Sequence, residues 1–447
     1  MDRDESRMRR FVGIAWNEAR GSLYRNAFFL MLSSIIASGL GFFFWLVVAR
    51  AYSSADIGAA VILFQTLSFL GTLALLGQAV GLIRYLPETE EKEPLVNTAL
   101  TVTGSVALIL SAVFLISLPL WSEDLTFVLN DPLYILTIIA ATIVLGFAPI
   151  LDQAAIAERR ADISTWRTTI FSILKIPLAL IIVLFLSGRA GVFLSLTLSV
   201  GISVLVSALV LLPRVIPGYR PRPRFQLDAV RPMLRFSFGN HAAIVIGSAG
   251  SMLLPLLIDN ALGPNRGPAF AAYFYVALIV AGLLYIIPSA TFTSFYAEAS
   301  QKNADPRRGE RKAILLTMGL LIPAIAVMWL FSEIMLTWFG DPAYKDQAVT
   351  PLRILTFASI PAFLNGVLST RVRIRKQTAP LIVSSAISTI IILGLGWYLL
   401  QAPGLDIDGL AIAYVVGQAA ATPYLYVVAR EAYAAIPTES VFTPPLE

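Results

Sequence analysis

The chain has 447 residues, of which 57% are hydrophobic and 14% are charged, with a formal net charge of +5 and a mean hydropathy of +0.76. A water-soluble protein carries about 25% charged residues, and a soluble chain this apolar would expose aggregation-prone surface. The composition therefore excludes an ordinary soluble domain and indicates an integral membrane protein.

The residue types also exclude several kinds of chemistry. The chain contains no cysteine and a single histidine, His241, which rules out disulfides, thiolate metal sites and metal sites that need two histidines. It contains no GxxxxGK[ST] sequence for nucleotide phosphates. We expect no catalytic residue, no metal, no cofactor and no nucleic-acid partner.

The first 25 residues form a basic segment that is predicted to lie on the cytoplasmic side. The stretch from Met8 to Trp16 is either an amphipathic helix along the membrane surface or an ordinary positively charged flank. The apolar run that follows, residues 27–49, exceeds the roughly 7–15 residues of a signal-peptide core. It is therefore interpreted as the first membrane span.

Twelve segments are predicted to cross the membrane, because each provides about 20 mostly apolar residues. Such long apolar runs favour helices over barrel strands. The segments are 26–49, 57–83, 97–121, 133–151, 166–187, 190–212, 235–261, 268–291, 312–331, 349–370, 379–400 and 406–428.

The distribution of lysine and arginine predicts the orientation of these spans. All but six of the 33 such residues lie in the terminal segments or in the alternate loops on the same side as the N-terminus. Positively charged loops remain in the cytoplasm, so the sequence predicts a multi-pass cell-membrane protein with both termini inside. The exceptions are Arg50, Lys175, Arg189, Arg266, Lys345 and Arg353.

A basic, proline-rich linker, residues 213–234, divides the spans into two sets of six. It separates an N-terminal bundle, 26–212, from a C-terminal bundle, 235–428, which a tail of residues 429–447 follows. Such a linker is semi-rigid, and its arginines are expected to contact anionic membrane lipids. Both halves begin inside, so any repeat between them is parallel.

The openings of the two halves are similar, although a chance match between apolar helices is the alternative explanation. The first begins Arg25-Asn26-Ala-Phe-Phe and the second Phe238-Gly-Asn240-His-Ala. The sequence Ala49-Arg-Ala-Tyr-Ser-Ser-Ala-Asp-Ile-Gly58 ends the first span, and the turn Leu262-Gly-Pro264 stands at the corresponding place in the second half.

These features together resemble the Wzx-type polysaccharide flippases of the multidrug/oligosaccharidyl-lipid/polysaccharide exporter (MOP) superfamily. The resemblance implies an all-α fold of two MATE-like six-helix bundles around a central cavity. It also implies a transporter, not an enzyme, that flips a polyprenyl-(pyro)phosphate-linked oligosaccharide or polysaccharide precursor to the outer leaflet by alternating access. Its partners would be the lipid-linked saccharide, membrane lipids and glycan-assembly enzymes.

Lys175 is the principal candidate for contact with an anionic substrate. It lies nine residues into the fifth predicted span, about 13 Å deep at 1.5 Å per residue. A charge at the bilayer centre costs at least about 2.5–3.5 kcal/mol, so it ordinarily has a role or a partner. A phosphate-facing lysine in a wet cavity is therefore favoured over one that extends to the membrane surface.

Three arginines are further candidates for the substrate cavity. Arg50 ends the first span on the outer side and Arg84 ends the second on the inner side, and both also suit ordinary interfacial anchors. Arg353 lies about 6 Å into the tenth span. It is predicted either to contact substrate or to pair with an acid such as Asp346.

Two asparagines and the histidine complete the set of candidates. Asn26 and Asn240 open the paired first helices of the two bundles, where they would bind sugar hydroxyls or join helices. His241 is expected to serve in packing and hydrogen bonding, with proton relay as the alternative.

Other functions remain as alternatives. A cation-coupled multidrug antiporter of the same superfamily would need carboxylates at membrane depth, and the predicted spans place their acids near the ends. A major-facilitator carrier would have a glycine- and arginine-rich loop after its second span, which this chain lacks. A membrane glycosyltransferase would use Asp406-Ile-Asp408, but no outer loop is long enough for a catalytic domain, so these aspartates are interpreted as helix-flanking residues.

Overall fold

The computed structural model describes residues 22–122, 124–186, 188–288, 306–374 and 378–434, with side chains from residue 28 onwards except at a few helix ends. No β-strand occurs in these ranges. The α-helices are α1 Ser22–Ala51, α2 Ser54–Ala74, α3 Gln78–Tyr85, α4 Lys92–Trp121, α5 Pro132–Ala157, α6 Ala161–Ile182, α7 Arg189–Val206, α8 Leu227–Met252, α9 Leu254–Leu262, α10 Gly267–Gly282, α11 Pro306–Thr337, α12 Pro342–Phe357, α13 Ser359–Ile374, α14 Ala379–Leu400 and α15 Asp406–Ala434.

Within the described ranges, 11 helical stretches are long and apolar enough to cross a membrane. Helices α8 and α9, bent by 43° relative to each other, make a twelfth span if they are counted as one. The prediction of an all-α membrane protein with about twelve spans is confirmed.

Polar residues mark the starts of several spans. The Ser53 hydroxyl accepts a hydrogen bond from the Asp56 amide at the start of α2. The Asp131 carboxylate accepts a hydrogen bond from the Leu133 amide at the start of α5. The Asp341 carboxylate accepts one from the Ala343 amide at the start of α12. Each cap satisfies a backbone donor that has no partner within its own helix, and a proline follows both aspartates at the first helical position.

Two spans are interrupted. The second breaks between α2 and α3 at Gly77, whose φ of +86° favours glycine. The seventh bends between α8 and α9 at Leu253, two residues before Pro255. Proline lacks the amide that would continue the helical hydrogen bonds, so the sequence itself places this bend.

The helices form two six-helix bundles with repeated packing. Three helix pairs of the first bundle pack together in the same way as three pairs of the second. The corresponding pairs are α1–α6 and α8–α14, α6–α7 and α14–α15, and α4–α5 and α11–α12. Corresponding helices therefore make corresponding contacts in a parallel repeat. The bundles meet mainly where α2 packs on α10, and Gly58 there lies directly against the carbonyl of Pro268, in space that a side chain would need.

The hydrophobic cores differ between the two ends of the molecule. At the end where α1 finishes, which the charge pattern predicts to face outwards, a single core combines side chains of both bundles. At the opposite end, one core belongs to the first bundle with Met233 of α8, and another belongs to the second bundle alone. Among the described residues, the bundles are thus joined most extensively at the predicted outer end.

The fifth span begins earlier than predicted, at Ala161 instead of residue 166. Asp162 lies in the first turn of this helix, where negative charge is favourable, and Arg167 of the same helix is paired with Asp152 of α5. Residues 1–21 of the predicted basic segment, most of the loop between the eighth and ninth spans, and residues 435–447 of the tail lie outside the described residues.

Candidate functional site

Lys175 is buried within the first bundle, with 6% of its surface exposed. It lies on α6, about 21 Å along the helix from Ala161 and about 10 Å from Ile182 at 1.5 Å per residue, so it is nearer the predicted outer end than the sequence indicated. Its Nζ atom lies 5.2 Å from the ring centre of Phe44 and 5.0 Å from that of Phe171.

The described residues around Lys175 supply cation–π contacts and no negative charge. The ammonium group lies 3.8 Å from where a side chain at Gly41 would begin, so this glycine of α1 makes room for it. None of the ion pairs of the described residues involves Lys175. Contacts with aromatic faces are worth about 0.5–2 kcal/mol, which offsets only part of the cost of burying the charge.

Arg50 joins the two bundles at the predicted outer end. Its Nε donates a hydrogen bond to the Trp338 carbonyl oxygen at 3.1 Å, from the end of α1 to the segment after α11. Its side chain also packs against Gly340. The structure therefore places Arg50 in a contact between bundles.

Aromatic residues continue this contact, which we call the outer seal. Phe42 meets Phe339 with ring centres 5.9 Å apart, and Trp45 meets Tyr275 at 5.1 Å. The Tyr273 hydroxyl donates to the Ser54 hydroxyl at 3.0 Å. The outer seal, made of these residues and Arg50, closes the predicted outer end by packing and hydrogen bonds together.

Arg353 pairs with an acid, which was one of its two predicted roles, but the acid is Glu333 and not Asp346, the example given. Arg353 contacts Glu333 of α11 at 3.0 Å, donates to the Ser332 hydroxyl at 2.9 Å, and stacks on Trp329. Asp346 lies on the same helix as Arg353, whereas Glu333 lies on a helix packed against it. The arginine thus fixes α12 to α11.

Arg84 and His241 join the second span to the seventh, towards the predicted cytoplasmic end. The Arg84 guanidinium lies 4.4 Å from the ring centre of Phe236 on α8. The His241 imidazole is buried and hydrogen-bonded to the Leu73 backbone, and its Cβ lies 3.2 Å from where a side chain at Gly77 would begin. This geometry supports packing and hydrogen bonding for the histidine.

Of the two candidate asparagines, only Asn240 has a described side chain. Asn240 is half-buried in α8, one residue before His241. Asn26 lies in α1, but its side chain is outside the described residues. The candidates therefore separate into a buried lysine inside the first bundle and residues that connect helices or bundles.

A family described as "Polysaccharide biosynthesis protein" matches residues 23–295, more than half of the chain. The chain belongs to this family. A second family, MatE, matches residues 302–398, and the two together place the protein in the MOP superfamily of membrane transporters. No curated protein is significantly similar to it in sequence.

Solved structures of MOP transporters have the same fold. One from Pyrococcus furiosus, reported under "Reverse polarity of binding pocket suggests different function", has a TM-score of 0.58 and 16% identity, with 94% of this chain and 97% of that chain covered. An inward-facing multidrug resistance MATE transporter has a TM-score of 0.57 and 15% identity, with 93% and 96% covered. The family and these neighbours are transporters, not enzymes.

The aspartates considered for a glycosyltransferase have a different place in this transporter. Asp406 begins α15 and pairs with Arg266 at 2.6 Å. Asp408 follows in the first turn of the same helix. Both flank a helix start, where negative charge is favourable.

The sequence analysis missed a group of polar residues inside the second bundle of the transporter. The Asn365 amide donates to the Gln418 carbonyl at 2.7 Å and accepts from the Thr422 hydroxyl at 2.8 Å. Asn365 and Gln418 lie within predicted spans, where amides are uncommon. These two amides were the signal in the sequence that could have identified the group.

Proposed function

We propose that this transporter moves a polyprenyl-(pyro)phosphate-linked saccharide from the cytoplasmic to the outer leaflet of the cell membrane by alternating access. The observation that carries the proposal is the burial of Lys175 of α6 against α1 with no carboxylate partner among the described residues. In this proposal both termini face the cytoplasm, and enzymes of glycan assembly supply the substrate there.

The chemistry of Lys175 matches the anionic part of such a substrate. A phosphate or pyrophosphate accepts charge-assisted hydrogen bonds from an ammonium group. Burial removes competing water and strengthens that attraction. The Pyrococcus furiosus neighbour is described as having a binding pocket of reverse polarity, which supports the idea that pocket charge differs with function in this superfamily.

The arrangement of the cores supports alternating access. The bundles share one core at the predicted outer end and have largely separate cores at the other. A carrier built from two parallel bundles changes access by rocking one against the other. The described conformation is therefore interpreted as one closed on the outside.

A cation-coupled multidrug antiporter is the second candidate, and Asp259 is the observation that favours it. This carboxylate lies near the end of the seventh span but is fully buried in α9, and buried carboxylates in membrane helices commonly serve cation or proton transport. The MatE match over residues 302–398 is in keeping with this function.

The deciding experiment is transport by the purified protein in liposomes. The probe is the lipid-linked saccharide fraction extracted from cells that lack the transporter, fluorescently labelled on the sugar. We expect protein-dependent movement between leaflets with chemically unchanged lipid. The antiporter would be established instead if the saccharide lipid does not move and the protein takes up a cationic dye. That uptake must be driven by an imposed Na⁺ or proton gradient and abolished by Asp259→Asn.

A further inference from the structure

The second bundle has a partly open polar cavity of about 240 Å³ between α8, α13, α14 and α15. Its lining includes Ser251, Asn365, Ser388, Tyr414 and Gln418. Every polar side chain in the described lining is a hydroxyl or an amide, and none of these lining residues is charged. Polar groups inside a membrane bundle are costly unless they are satisfied or used, so this cavity needs an explanation.

Hydrogen bonds hold much of the wall in a fixed arrangement. Asn365 is bonded to both Gln418 and Thr422, and the Tyr414 hydroxyl is hydrogen-bonded to the side chains of Tyr285 and Gln418. An asparagine amide offers four hydrogen-bonding positions. The two bonds to Gln418 and Thr422 therefore leave further capacity for a ligand.

Ser388 has unused hydrogen-bonding capacity. Its hydroxyl oxygen is buried and has no hydrogen-bond partner among the described residues. It lies on α14, one residue before Thr389, whose hydroxyl donates to the Ile246 carbonyl on α8 at 2.7 Å. The neighbouring hydroxyl thus joins the helices, while that of Ser388 remains available to a molecule in the cavity.

The two halves of the repeat place different chemistry at corresponding helix pairs. In the first half, Lys175 lies between α1 and α6 and provides a positive charge. In the second half, the corresponding pair, α8 and α14, borders the uncharged cavity. The two halves therefore share the same helix pairing but suit different ligands, an anionic group in the first half and an uncharged polar group in the second.

We propose that the cavity in the second bundle binds one uncharged sugar unit of the lipid-linked saccharide, while Lys175 contacts its phosphate. This inference rests on the proposed function and assigns the saccharide its own site. Hydroxyls and amides both donate and accept hydrogen bonds, as sugar hydroxyls do. At about 30 Å³ per water molecule, the cavity is large enough to exchange several waters for a sugar ring.

Protection of a single cysteine tests this assignment directly. The natural chain has no cysteine, so Ser388→Cys introduces a unique thiol at a position where the hydroxyl supports no other residue. Labelling by a small methanethiosulfonate is followed with no lipid, with the saccharide–lipid fraction described above, and with undecaprenyl pyrophosphate. Glu88→Cys, in an exposed loop, is the control for reagent and protein integrity.

We expect the saccharide–lipid to slow labelling of Ser388→Cys about tenfold at about ten times its Kd, and the sugar-free lipid to leave the rate nearly unchanged. Equal protection by both lipids, protection by neither, or a thiol that never reacts would overturn the assignment and leave a cavity that holds water alone. Wild-type transport in liposomes separates the two proposals. If the wild type moves the saccharide–lipid but Ser388→Cys is unprotected, only the sugar site fails.

A second variant tests the same point in transport. Ser388→Leu fills the cavity, and we expect slow movement of the saccharide–lipid with unchanged inhibition by undecaprenyl pyrophosphate, since that lipid has no sugar to place. Ser105→Leu makes the same change on the exposed surface of α4 and should match the wild type. Equal transport by Ser388→Leu and Ser105→Leu would exclude a sugar in the cavity.

Discussion

Helix α6 carries two cationic residues whose surroundings differ. Arg167 makes two hydrogen bonds of 2.6 Å with the Asp152 carboxylate, which neutralises it within the bundle. Lys175, two turns further along, has aromatic rings and a glycine beside it instead. A charge that serves only the fold is ordinarily paired. The contrast supports a binding role for Lys175, which has no such pair in the part of the chain that the structure describes.

The first prediction concerns Lys175→Met, which keeps a side chain of similar length and removes the charge. We expect transport of the saccharide–lipid to fall by about tenfold or more, equivalent to the loss of one charge-assisted hydrogen bond of about 1.5–3 kcal/mol. Thermal stability should be unchanged or higher, because removing a buried charge relieves a cost of about 2.5–3.5 kcal/mol. Both quantities are measured on the purified protein.

Lys345→Met is the matched control for this substitution. Lys345 is exposed and lies 3.8 Å from Glu333, and surface ion pairs contribute little to stability. This variant should transport like the wild type. If Lys175→Met also does so, Lys175 is not a substrate ligand.

At the scale of single elements, the linker between the bundles is fixed along α4. The Asn97 amide donates to the Arg220 carbonyl at 2.8 Å and accepts from the Arg222 amide at 3.4 Å. The Thr101 hydroxyl accepts from the Arg224 amide at 3.0 Å. These bonds hold the backbone of residues 220–224, and the arginine side chains remain exposed.

A buried tyrosine fixes the start of this segment. Tyr219 is 3% exposed and belongs to the core of the first bundle. Burial, and secondarily the nearby Glu93 carboxylate, raise the pKa of its hydroxyl above the usual value. The tyrosine therefore stays protonated across the physiological range, and the attachment should not depend on pH there.

The second prediction is that Asn97→Ala combined with Thr101→Val releases the linker. Trypsin does not cut Arg–Pro bonds, so Arg220 and Arg222 are protected, whereas Arg224 precedes Phe225 and is a cleavage site. Losing bonds worth about 0.5–1.5 kcal/mol each should raise cleavage after Arg224 by roughly tenfold or more. The measurement is the yield of fragments that begin at Phe225, as distinct from those produced at trypsin sites in the other loops.

Two controls accompany the proteolysis. Thr101→Ser keeps the hydroxyl acceptor and should leave cleavage at the wild-type rate. Inverted membrane vesicles should be cut and right-side-out vesicles should not, because the linker is predicted to face the cytoplasm. Equal cleavage of the double variant and the wild type would show that these bonds do not restrain the linker.

At the scale of the whole molecule, the span pattern could be predicted from sequence and the site only in part. Hydropathy and loop charge are local properties, so an all-helical pattern of about twelve spans follows from them. The partner of Arg353 depends on the packing of α12 against α11, which a single sequence does not reveal. The cavity around Asn365 and Gln418 likewise depends on the packing of α8 against the three consecutive helices α13 to α15, which lie far from it along the chain.

Contacts between the bundles depend on the same long-range packing. The outer seal joins α1 and the start of α2 to α10 and the end of α11. Its hydrogen bonds and aromatic contacts connect elements more than 200 residues apart. If the transporter works by alternating access, this seal must open in each cycle, whereas contacts within a bundle need not change.

The last prediction therefore concerns a lock across the outer seal. Ser54 and Tyr273 contact each other between the bundles, and the chain has no other thiol to interfere with cysteines at these positions. A bifunctional methanethiosulfonate that joins Ser54→Cys to Tyr273→Cys should stop transport, and a reductant that cleaves the link should restore it. Each single-cysteine variant, treated in the same way, should keep its activity because the reagent then has only one attachment point. Transport that continues in the fully cross-linked protein would mean that the substrate leaves without separation of α2 from α10, and rocking of the two bundles about this contact would be excluded.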